Sequence, residues 1–244
     1  KTIGLLVSDF SVAFFPGVLR VLEKGAAREG YQIMSSNFYD SGETEARLIE
    51  NMVRGRVDAL LLNSSGQNDE RLCELQSSGL PIFCYDRHPH NWEFPAVYVD
   101  KKQGIYDLLV YFYQLGHRHI CFLSGPRSLS TNVDRQAGID KFIAEYHIPP
   151  ENIQCRYSEF SENFGYQMLQ ETVYGSDAPT AYITGSISIA SGIMQYCNTH
   201  GIQIPKDVSL ASFGTFGQAN LVKPSLVHVD DAYHAIAEQL LAWI

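Results

Sequence analysis

The chain has 244 residues, of which 45% are hydrophobic, and its formal net charge is −9. This length and composition suit one large or two smaller globular domains with buried cores. The negative charge argues against nucleic-acid binding by this segment, because phosphate contacts need clustered lysine and arginine side chains. No apolar run is long enough to cross a bilayer and no signal peptide precedes the first strand, so we expect no membrane insertion.

Apolar segments that are typical of buried strands alternate with amphipathic helical patterns along the chain. This alternation predicts an α/β fold in which parallel sheets carry helices on both faces. Gly30 and Gly116 suit the left-handed position that follows a helix end. The predicted strands, in chain order, are Ile3–Val7, Gln32–Ser35, Ala59–Leu62, Ile82–Tyr85, Val97–Val99, Ile120–Leu123, Ala181–Thr184 and Ser209–Phe213.

The strand–helix pattern runs to about Tyr85 and begins again at about Val97, which indicates two similar flavodoxin-like lobes. We expect an N-terminal lobe of residues 1–97 plus 228–244 and a C-terminal lobe of residues 98–227. The segments Arg87–Pro95 and Leu226–Asp231 would connect them. Two lobes joined by several crossings of the chain predict a hinge and a ligand cleft.

The segment Leu115–Pro126 reads LGHRHICFLSGP and joins a helix end, a buried strand and a loop. His117 is expected to stay solvated where that strand begins. Ligands of open α/β sheets lie beyond the carboxyl ends of the strands. The following loop, Ser124–Arg135, is rich in hydroxyl groups and has an arginine near each end, so we predict that it binds the ligand.

The chain lacks the sequence motifs of several classes of enzyme and cofactor-binding protein. The chain has no G-x-S-x-G elbow, no P-loop, no H-E-x-x-H motif and no dinucleotide-binding glycine pattern. We therefore expect no enzyme activity, no cofactor and no metal site. The five cysteines form no C-x-x-C pair, and Cys84 and Cys121 lie in apolar strands, so buried thiols are favoured over disulfides.

An ordered set of segments resembles the effector-binding domain of the lactose-repressor (LacI/GalR) family of bacterial transcription regulators, over essentially the whole chain. The segments are RVDALLLNSS, LPIFCYDR, VYVD, LGHRHICFLSGP, RQAGI, PTAYITG and IPKDVSLASFG. CYDRHP, ITGSISIASGIM and ASFGTF are most similar to repressors of fructose or sucrose operons. Sugar-binding periplasmic proteins share the periplasmic-binding-protein-like fold but usually lack GHRHICFLSGP and IPKDVSLASFG.

The resemblance implies a cytoplasmic, allosteric sensor that represses a carbohydrate-utilisation operon in response to a sugar or sugar phosphate. It also implies a homodimer that contacts operator DNA only through a helix-turn-helix, which this chain does not include. An alternative is a periplasmic-type sugar-binding protein that serves a transporter. A third is a sensory domain fused to something other than DNA-binding helices.

Arg135 is the first candidate for ligand binding, because the resemblance places the family's ligand-clamping arginine there. A guanidinium offers a planar fork to vicinal hydroxyls, carboxylate or phosphate. The alternative is an arginine paired with Asp134 or another acid. Thr131 and Ser130 could donate to the same ligand or serve as ordinary turn or N-cap residues.

Further candidates lie near the carboxyl ends of the predicted strands. Asp86 could accept from sugar hydroxyls and Arg87 could bind an anionic group, or the two could form a hinge ion pair. Asp9, with Ser8, could line the ligand site. Aromatic candidates are Phe14 or Phe15, which could stack on a sugar or pack in the core, and Phe160, which matches a family position that often caps the ligand.

Two positions depart from the family pattern. Many members carry an acidic or amide group after the strand Ala181–Thr184, where this chain has Thr184-Gly185-Ser186. Many also carry Asp after Ser209–Phe213, where this chain has Gly214, Thr215 and Phe216. Hydroxyl groups of Thr184, Ser186 and Thr215 would then contact the ligand. Lower negative charge near Arg135 and Arg87 would tolerate an anion, so we expect a sugar phosphate or a sugar held mainly by hydroxyls.

Overall fold

The computed structural model describes residues 1–89, 94–214 and 225–244. The chain divides into two compact units, the first formed by residues 1–99 and 232–244 and the second by residues 100–231. Each unit is built on a five-stranded parallel sheet. The predicted α/β class, with two flavodoxin-like lobes, is confirmed.

The first unit contains β1 to β5, α1 to α3 and α8, and the second contains the other elements. The strands are β1 (Thr2–Val7), β2 (Gln32–Asn37), β3 (Ala59–Leu62), β4 (Ile82–Tyr85), β5 (Ala96–Val97), β6 (Ile120–Ser124), β7 (Ile153–Tyr157), β8 (Ala181–Thr184), β9 (Ser209–Phe213) and β10 (Val227–Val229). The helices are α1 (Phe14–Arg28), α2 (Gly42–Arg54), α3 (Asp69–Ser77), α4 (Lys101–Gln114), α5 (Ser130–Tyr146), α6 (Glu162–Thr172), α7 (Ile187–His200) and α8 (Tyr233–Trp243), with a short 3-10 helix at Pro150–Asn152.

The two sheets share one strand order. The first runs β2-β1-β3-β4-β5, and the second runs β7-β6-β8-β9-β10 when read from the corresponding edge. This is the flavodoxin-like order, in which the chain direction across the sheet reverses between the first and third strands. Ligands of such sheets bind at the carboxyl ends of the strands beside that reversal. The topology therefore predicts ligand-binding residues at the carboxyl ends of β1 and β3 in one unit and of β6 and β8 in the other.

Each sheet is covered by helices on both faces because successive strand residues point to opposite sides. In the first unit, Ile3, Leu5 and Val7 pack with α1 and α8, whereas Leu6 packs with α2 and α3. In the second unit, Phe122 belongs to the cluster with α4 and α5, while its neighbours in β6 belong to the cluster with α6 and α7. Strands buried on both faces explain why their sequences read as continuous apolar runs.

Sequence patterns located the central strands better than the edge strands. The bounds of β3, β4, β8 and β9 are as predicted. The strand predicted at Val97–Val99 is instead Ala96–Val97, and it pairs with β4, so it closes the first sheet rather than opening a second half. Two strands, β7 and β10, were not predicted. Both are edge strands, and both mix exposed or half-buried polar residues with apolar ones, so neither shows a buried-strand pattern.

The structure also tests the predictions made for two glycines, two cysteines and His117. Gly30 and Gly116 adopt φ values of 76° and 95°, as expected after helix ends. Cys84 and Cys121 are fully buried, and burial raises the pKa of each thiol to about 12. His117, predicted to be solvated, is half-buried and contacts Thr180 and Ser209. No helix within the described ranges is long and apolar enough to span a membrane.

Candidate functional site

Arg135 lies in α5, close to the carboxyl ends of β6 and β8, and only 3% of its surface is exposed. Its Nη1 donates to Asn132 Oδ1 at 2.9 Å, and its Nη2 donates to the Gly185 carbonyl at 3.2 Å. The first acceptor lies one helical turn away, and the second lies on the residue that follows β8. The guanidinium is thus held in one orientation at the reversal point of the second sheet.

Asn132 organises the loop that leads from β6 into α5. Its Oδ1 also accepts from Ser124 Oγ at 2.7 Å, and its Nδ2 donates to the carbonyls of Gly125 (3.1 Å) and Pro126 (2.9 Å). The side chain is fully buried. Asn132 lies inside the loop predicted to bind the ligand, but it was not singled out. A buried amide that joins one strand end, one loop and one arginine fixes the shape of this region.

Phe213, the last residue of β9, forms an apolar wall beside Arg135. The guanidinium carbon lies 4.1 Å from the centroid of its ring, and Nζ of the buried Lys101 lies 5.9 Å from the same centroid. Both distances are in the range of cation–π attraction. Two cationic side chains therefore lie near one buried ring. We call the set Ser124, Asn132, Arg135, Gly185 and Phe213 the arginine cradle.

Gly185 is required by the close packing of the arginine cradle. A methyl group on its Cα would overlap the Ser124 side chain. Position 185 therefore has no room for the acidic or amide side chain that many family members carry near this strand end. The amide that contacts Arg135 here comes from Asn132 instead.

The hydroxyl candidates of the second unit have defined roles. Thr184 Oγ1 is buried and donates to the Ala211 carbonyl at 3.4 Å. Ser186 caps α7 and accepts from the Ile189 amide at 3.4 Å. Thr131 is buried in the first turn of α5, whose N-cap is Leu129 without a side-chain cap. Thr215 lies outside the described residues.

Phe160 borders the loop that follows β6. Its ring is half-buried and lies against Gly125, where a side chain would overlap the ring. The structure thus brings Phe160 to the same loop as Ser124 and Asn132. A glycine at position 125 lets the aromatic ring approach the backbone directly.

In the first unit, polar groups gather where β3 and β4 end. Asn63 is fully buried, and its Nδ2 donates to the Tyr85 carbonyl at 3.3 Å and to Asp86 Oδ2 at 3.2 Å. Asp86 has a φ of 58°, a left-handed conformation that aspartate adopts more readily than most residues. Sequence reasoning missed Asn63, although a polar residue directly after the apolar run Ala59–Leu62 was a usable signal.

Arg87 forms an ion pair with Asp40, which follows the β2 strand. Only 5% of the Arg87 surface is exposed. A buried guanidinium needs such a partner because an unpaired charge in the interior is costly. The sequence analysis considered an ion pair for Arg87, but with Asp86 as its partner.

Glu45 is a buried acid that sequence reasoning did not identify. Its carboxylate accepts from the Ser65 amide at 2.8 Å, from Asn68 Nδ2 at 2.6 Å and from the Ser65 hydroxyl. Burial raises the pKa of Glu45, and the hydrogen bonds from Ser65 and Asn68 and the charge of Arg87 oppose that rise. Glu45 occupies an inward position of α2, where the sequence pattern favours an apolar residue.

The remaining candidates lie after β1. Asp9 accepts from the Ser11 amide (2.9 Å) and the Ser11 hydroxyl (2.7 Å), so its carboxylate stabilises a turn. Phe14 and Phe15 are 7% and 4% exposed and belong to the core cluster of the first unit. Their ring centroids lie 6.4 and 6.3 Å from that of Tyr85. Both rings therefore pack in the core, which the sequence analysis gave as the alternative to sugar stacking.

The whole chain, residues 1–244, matches the family described as periplasmic binding proteins and sugar binding domain of the LacI family. The chain belongs to this family. The resemblance inferred from the sequence is confirmed.

Relatives and solved structures agree with this membership. The HTH-type transcriptional repressor PurR of Klebsiella pneumoniae (strain 342) is 27% identical over 241 residues, which cover 98% of this chain and 70% of the relative. A protein of Bacillus cereus subsp. cytotoxis assigned to the LacI transcriptional regulators has a TM-score of 0.87 and 27% identity, covering 100% of this chain and 88% of that one. The Cra regulator of Pseudomonas putida, solved with fructose 1-phosphate, has a TM-score of 0.86 and 24% identity over 99% of this chain and 89% of its own, and shows the shared fold.

Proposed function

We propose that this LacI-family chain is the effector-sensing domain of a transcriptional repressor, and that its effector is a sugar or a sugar phosphate bound at the arginine cradle. The observation that carries the proposal is the orientation of Arg135, which is held by Asn132 and the Gly185 carbonyl at the carboxyl ends of β6 and β8. A preoriented guanidinium binds a small polar ligand without the entropic cost of ordering a long side chain.

The chemistry of the arginine cradle suits a hydroxylated or phosphorylated ligand. The guanidinium fork pairs with vicinal oxygens, and Lys101 adds positive charge near the same ring. Phe160, at the loop after β6, supplies an aromatic face for the C–H surface of a sugar ring. Thr131, Thr184 and Ser186 would contribute hydroxyl groups at the border of this region.

The first unit supplies polar groups at the corresponding edge of its own sheet. Asp86 is the acceptor that we assign to ligand hydroxyls there, and Asn63 Nδ2 donates to its Oδ2. Arg87 orders the loop through Asp40 and adds positive charge near Glu45. Asp9, Phe14 and Phe15 would support the ligand site through the turn and the core that they stabilise.

Repression requires partners beyond this chain. We propose that the complete regulator is a homodimer that acts in the cytoplasm. It would bind operator DNA through a helix-turn-helix, as the names of relatives that are HTH-type transcriptional repressors suggest. The chain itself would perform no catalysis. The effector would act by binding one conformation of the regulator better than another.

A thermal-shift screen tests the proposal. The panel contains fructose, sucrose, glucose, trehalose, ribose and their common phosphates, with fructose 1-phosphate included because the Pseudomonas regulator was solved with it. A ligand at a hundred times its Kd stabilises by about 2.7 kcal/mol, which corresponds to a rise of about 5–10 °C at this size. The rise should disappear in Arg135→Ala.

The matched control is Arg127→Ala, since Arg127 lies in the same loop but is exposed. This variant should keep the full rise. Equal affinity for a sugar and its phosphate would refute the phosphate version of the proposal. No rise with any member of the panel would refute the sugar assignment and direct the search to nucleobases or nucleosides.

A further inference from the structure

We infer that the groove between α1 and α8 in the first unit binds an acidic, helical segment of a partner protein. This is a second site, separate from the arginine cradle, which belongs to the second unit. The starting observation is a set of three cations on α1. Arg20, Lys24 and Arg28 are exposed, and all three border the same groove. We call these three residues the basic row.

The basic row has a regular helical spacing. Its members follow one another at intervals of four residues, and residues at this interval are neighbours on one face of a helix. At a rise of about 1.5 Å per residue, the row extends for about 12 Å along α1. The helix therefore presents three positive charges in a line, which suits a ligand whose negative charges are also in a line.

The groove beside the basic row has an apolar floor. Gly25 packs directly against Leu241 of α8, and a methyl group on its Cα would overlap that side chain. Val21 and Leu241 also line the groove, and both are half-buried, so part of each side chain is accessible. The groove has a volume of about 450 Å³, which is in the size range of ligand-binding clefts. It can therefore receive apolar side chains beside the charged row.

The charges around the groove are predominantly positive. Among the described residues that line it, the one acid is Glu238 of α8, whose Oε1 lies 3.4 Å from Nδ1 of His234. The three cations of the basic row are on the opposite wall. An anionic ligand would therefore contact α1 through its charges and α8 through its apolar side chains.

Ion pairs within the fold do not account for the basic row. In the part of the chain that the structure describes, Lys24 and Arg28 form no ion pair, and Arg20 donates to the Tyr233 hydroxyl at 3.4 Å. Arg28 lies in the last turn of α1, where a cation stabilises the helix itself, but Lys24 lies in the middle of the helix. The charge of Lys24 is thus available to a ligand.

Charge complementarity identifies the kind of partner. Carboxylates that repeat every four residues on a partner helix would match the spacing of the basic row, and apolar residues of the same helix would enter the groove. The chain has a net charge of −9, so an acidic partner would be repelled by much of the remaining surface and attracted to this face. The occupant that fits is an amphipathic helix with acidic residues along one side.

The test uses a labelled synthetic peptide as the probe. The peptide has about 18 residues, so that it can form a helix, with glutamate at every fourth position beside a row of leucines. A scrambled peptide of the same composition is the control. Fluorescence anisotropy should show saturable binding of the first peptide to the full chain, about tenfold tighter than binding of the scrambled peptide. Added salt should weaken this binding, because exposed charges are screened.

The decisive variant combines Lys24→Glu with Arg28→Glu and should bind the peptide about tenfold more weakly than the wild type. The matched control combines Arg47→Glu with Arg54→Glu, which makes the same change of charge at exposed positions of α2. This control should bind within about twofold of the wild type. Both double variants should keep the secondary structure of the wild type by circular dichroism.

Three results would overturn the inference. The first is a wild-type chain that binds neither peptide or binds both equally. The second is an equal loss of peptide binding in the two double variants, which would show only an effect of net charge. The third is a change of oligomeric state in the variant with Lys24→Glu and Arg28→Glu, measured by sedimentation, which would assign the groove to a contact between copies of this chain.

Discussion

The Arg135 guanidinium stacks on the ring of Phe213, with its central carbon 4.1 Å from the ring centroid. This contact joins α5 to the end of β9, and the hydrogen bond from Arg135 to Gly185 joins the same side chain to the end of β8. Arg135 is therefore positioned by two strands as well as by its own helix. Because these contacts hold the guanidinium, changes to its surroundings should alter ligand affinity.

Phe213→Leu tests the role of the aromatic face. The variant keeps most of the apolar volume but removes the π surface under Arg135, so we expect about a fivefold to tenfold loss of ligand affinity. The control is Phe122→Leu, a change to a buried ring of β6 that has no described contact with Arg135. Titration calorimetry should show the loss only in Phe213→Leu. Equal losses in both variants would assign the effect to general destabilisation.

Asn132→Ala should destabilise the second unit strongly. The substitution leaves Ser124 Oγ, Arg135 Nη1 and two loop carbonyls without this partner in a buried region. Each buried polar group left unpaired costs about 1–3 kcal/mol, so we expect a total loss of about 2–5 kcal/mol by denaturant unfolding. Asn198→Ala, on the exposed face of α7, is the control and should cost under about 0.5 kcal/mol. A loss below about 1 kcal/mol for Asn132→Ala would contradict the assigned network.

Gly185→Ala should be destabilising for a steric reason that a second substitution relieves. The added methyl group would overlap the Ser124 side chain, and overpacking in a core costs about 1–3 kcal/mol. Ser124→Gly removes the overlapping atoms. In a double-mutant cycle, the combined variant should therefore be more stable than the sum of the two single losses predicts. Strict additivity would show that the two positions are not in contact.

His117 should make the stability of the second unit depend on pH. Burial lowers the pKa of His117 from its usual value of 6.5, because the charged ring loses solvation. The unfolded chain then takes up the proton more readily than the folded chain, so the free energy of unfolding falls as the pH drops below 6.5. His117→Gln should show a smaller fall between pH 7.5 and 5.5, whereas His119→Gln should behave like the wild type. An unchanged fall in His117→Gln would refute this assignment.

The sequence could predict those features that depend on local pattern. Continuous apolar runs gave the bounds of the central strands, and the family resemblance, together with a hydroxyl-rich loop after a buried strand, made Arg135 the first candidate for ligand binding. Contacts between residues distant in the chain carry no such pattern. The pairing of Arg87 with Asp40 depends on how β2 and β4 are arranged in the sheet, and the proximity of Asp231 to Gly214 depends on the β9–β10 register. Glu45 was missed because its partners Ser65 and Asn68 lie in a different segment.

The two departures from the family pattern illustrate the same limit. From the sequence alone, the segments Thr184–Ser186 and Gly214–Phe216 indicate that hydroxyl groups replace the acidic or amide group and the Asp that many family members carry. In the structure, Asn132 contacts Arg135 where position 185 has no room for a side chain, and Asp231 occupies the space beside Gly214. An amide and a carboxylate from other parts of the chain therefore lie near these two glycines, and their positions could not be read from the sequence.

The most direct test of the central claim is a calorimetric titration of the best panel ligand into the wild-type chain, Arg135→Lys and Arg127→Lys. Lysine keeps the charge but lacks the planar fork that Asn132 and the Gly185 carbonyl hold in place. We predict saturable binding to the wild type, unchanged binding to Arg127→Lys and at least tenfold weaker binding to Arg135→Lys. Wild-type affinity in a folded Arg135→Lys variant would contradict the assignment of the arginine cradle as the effector site.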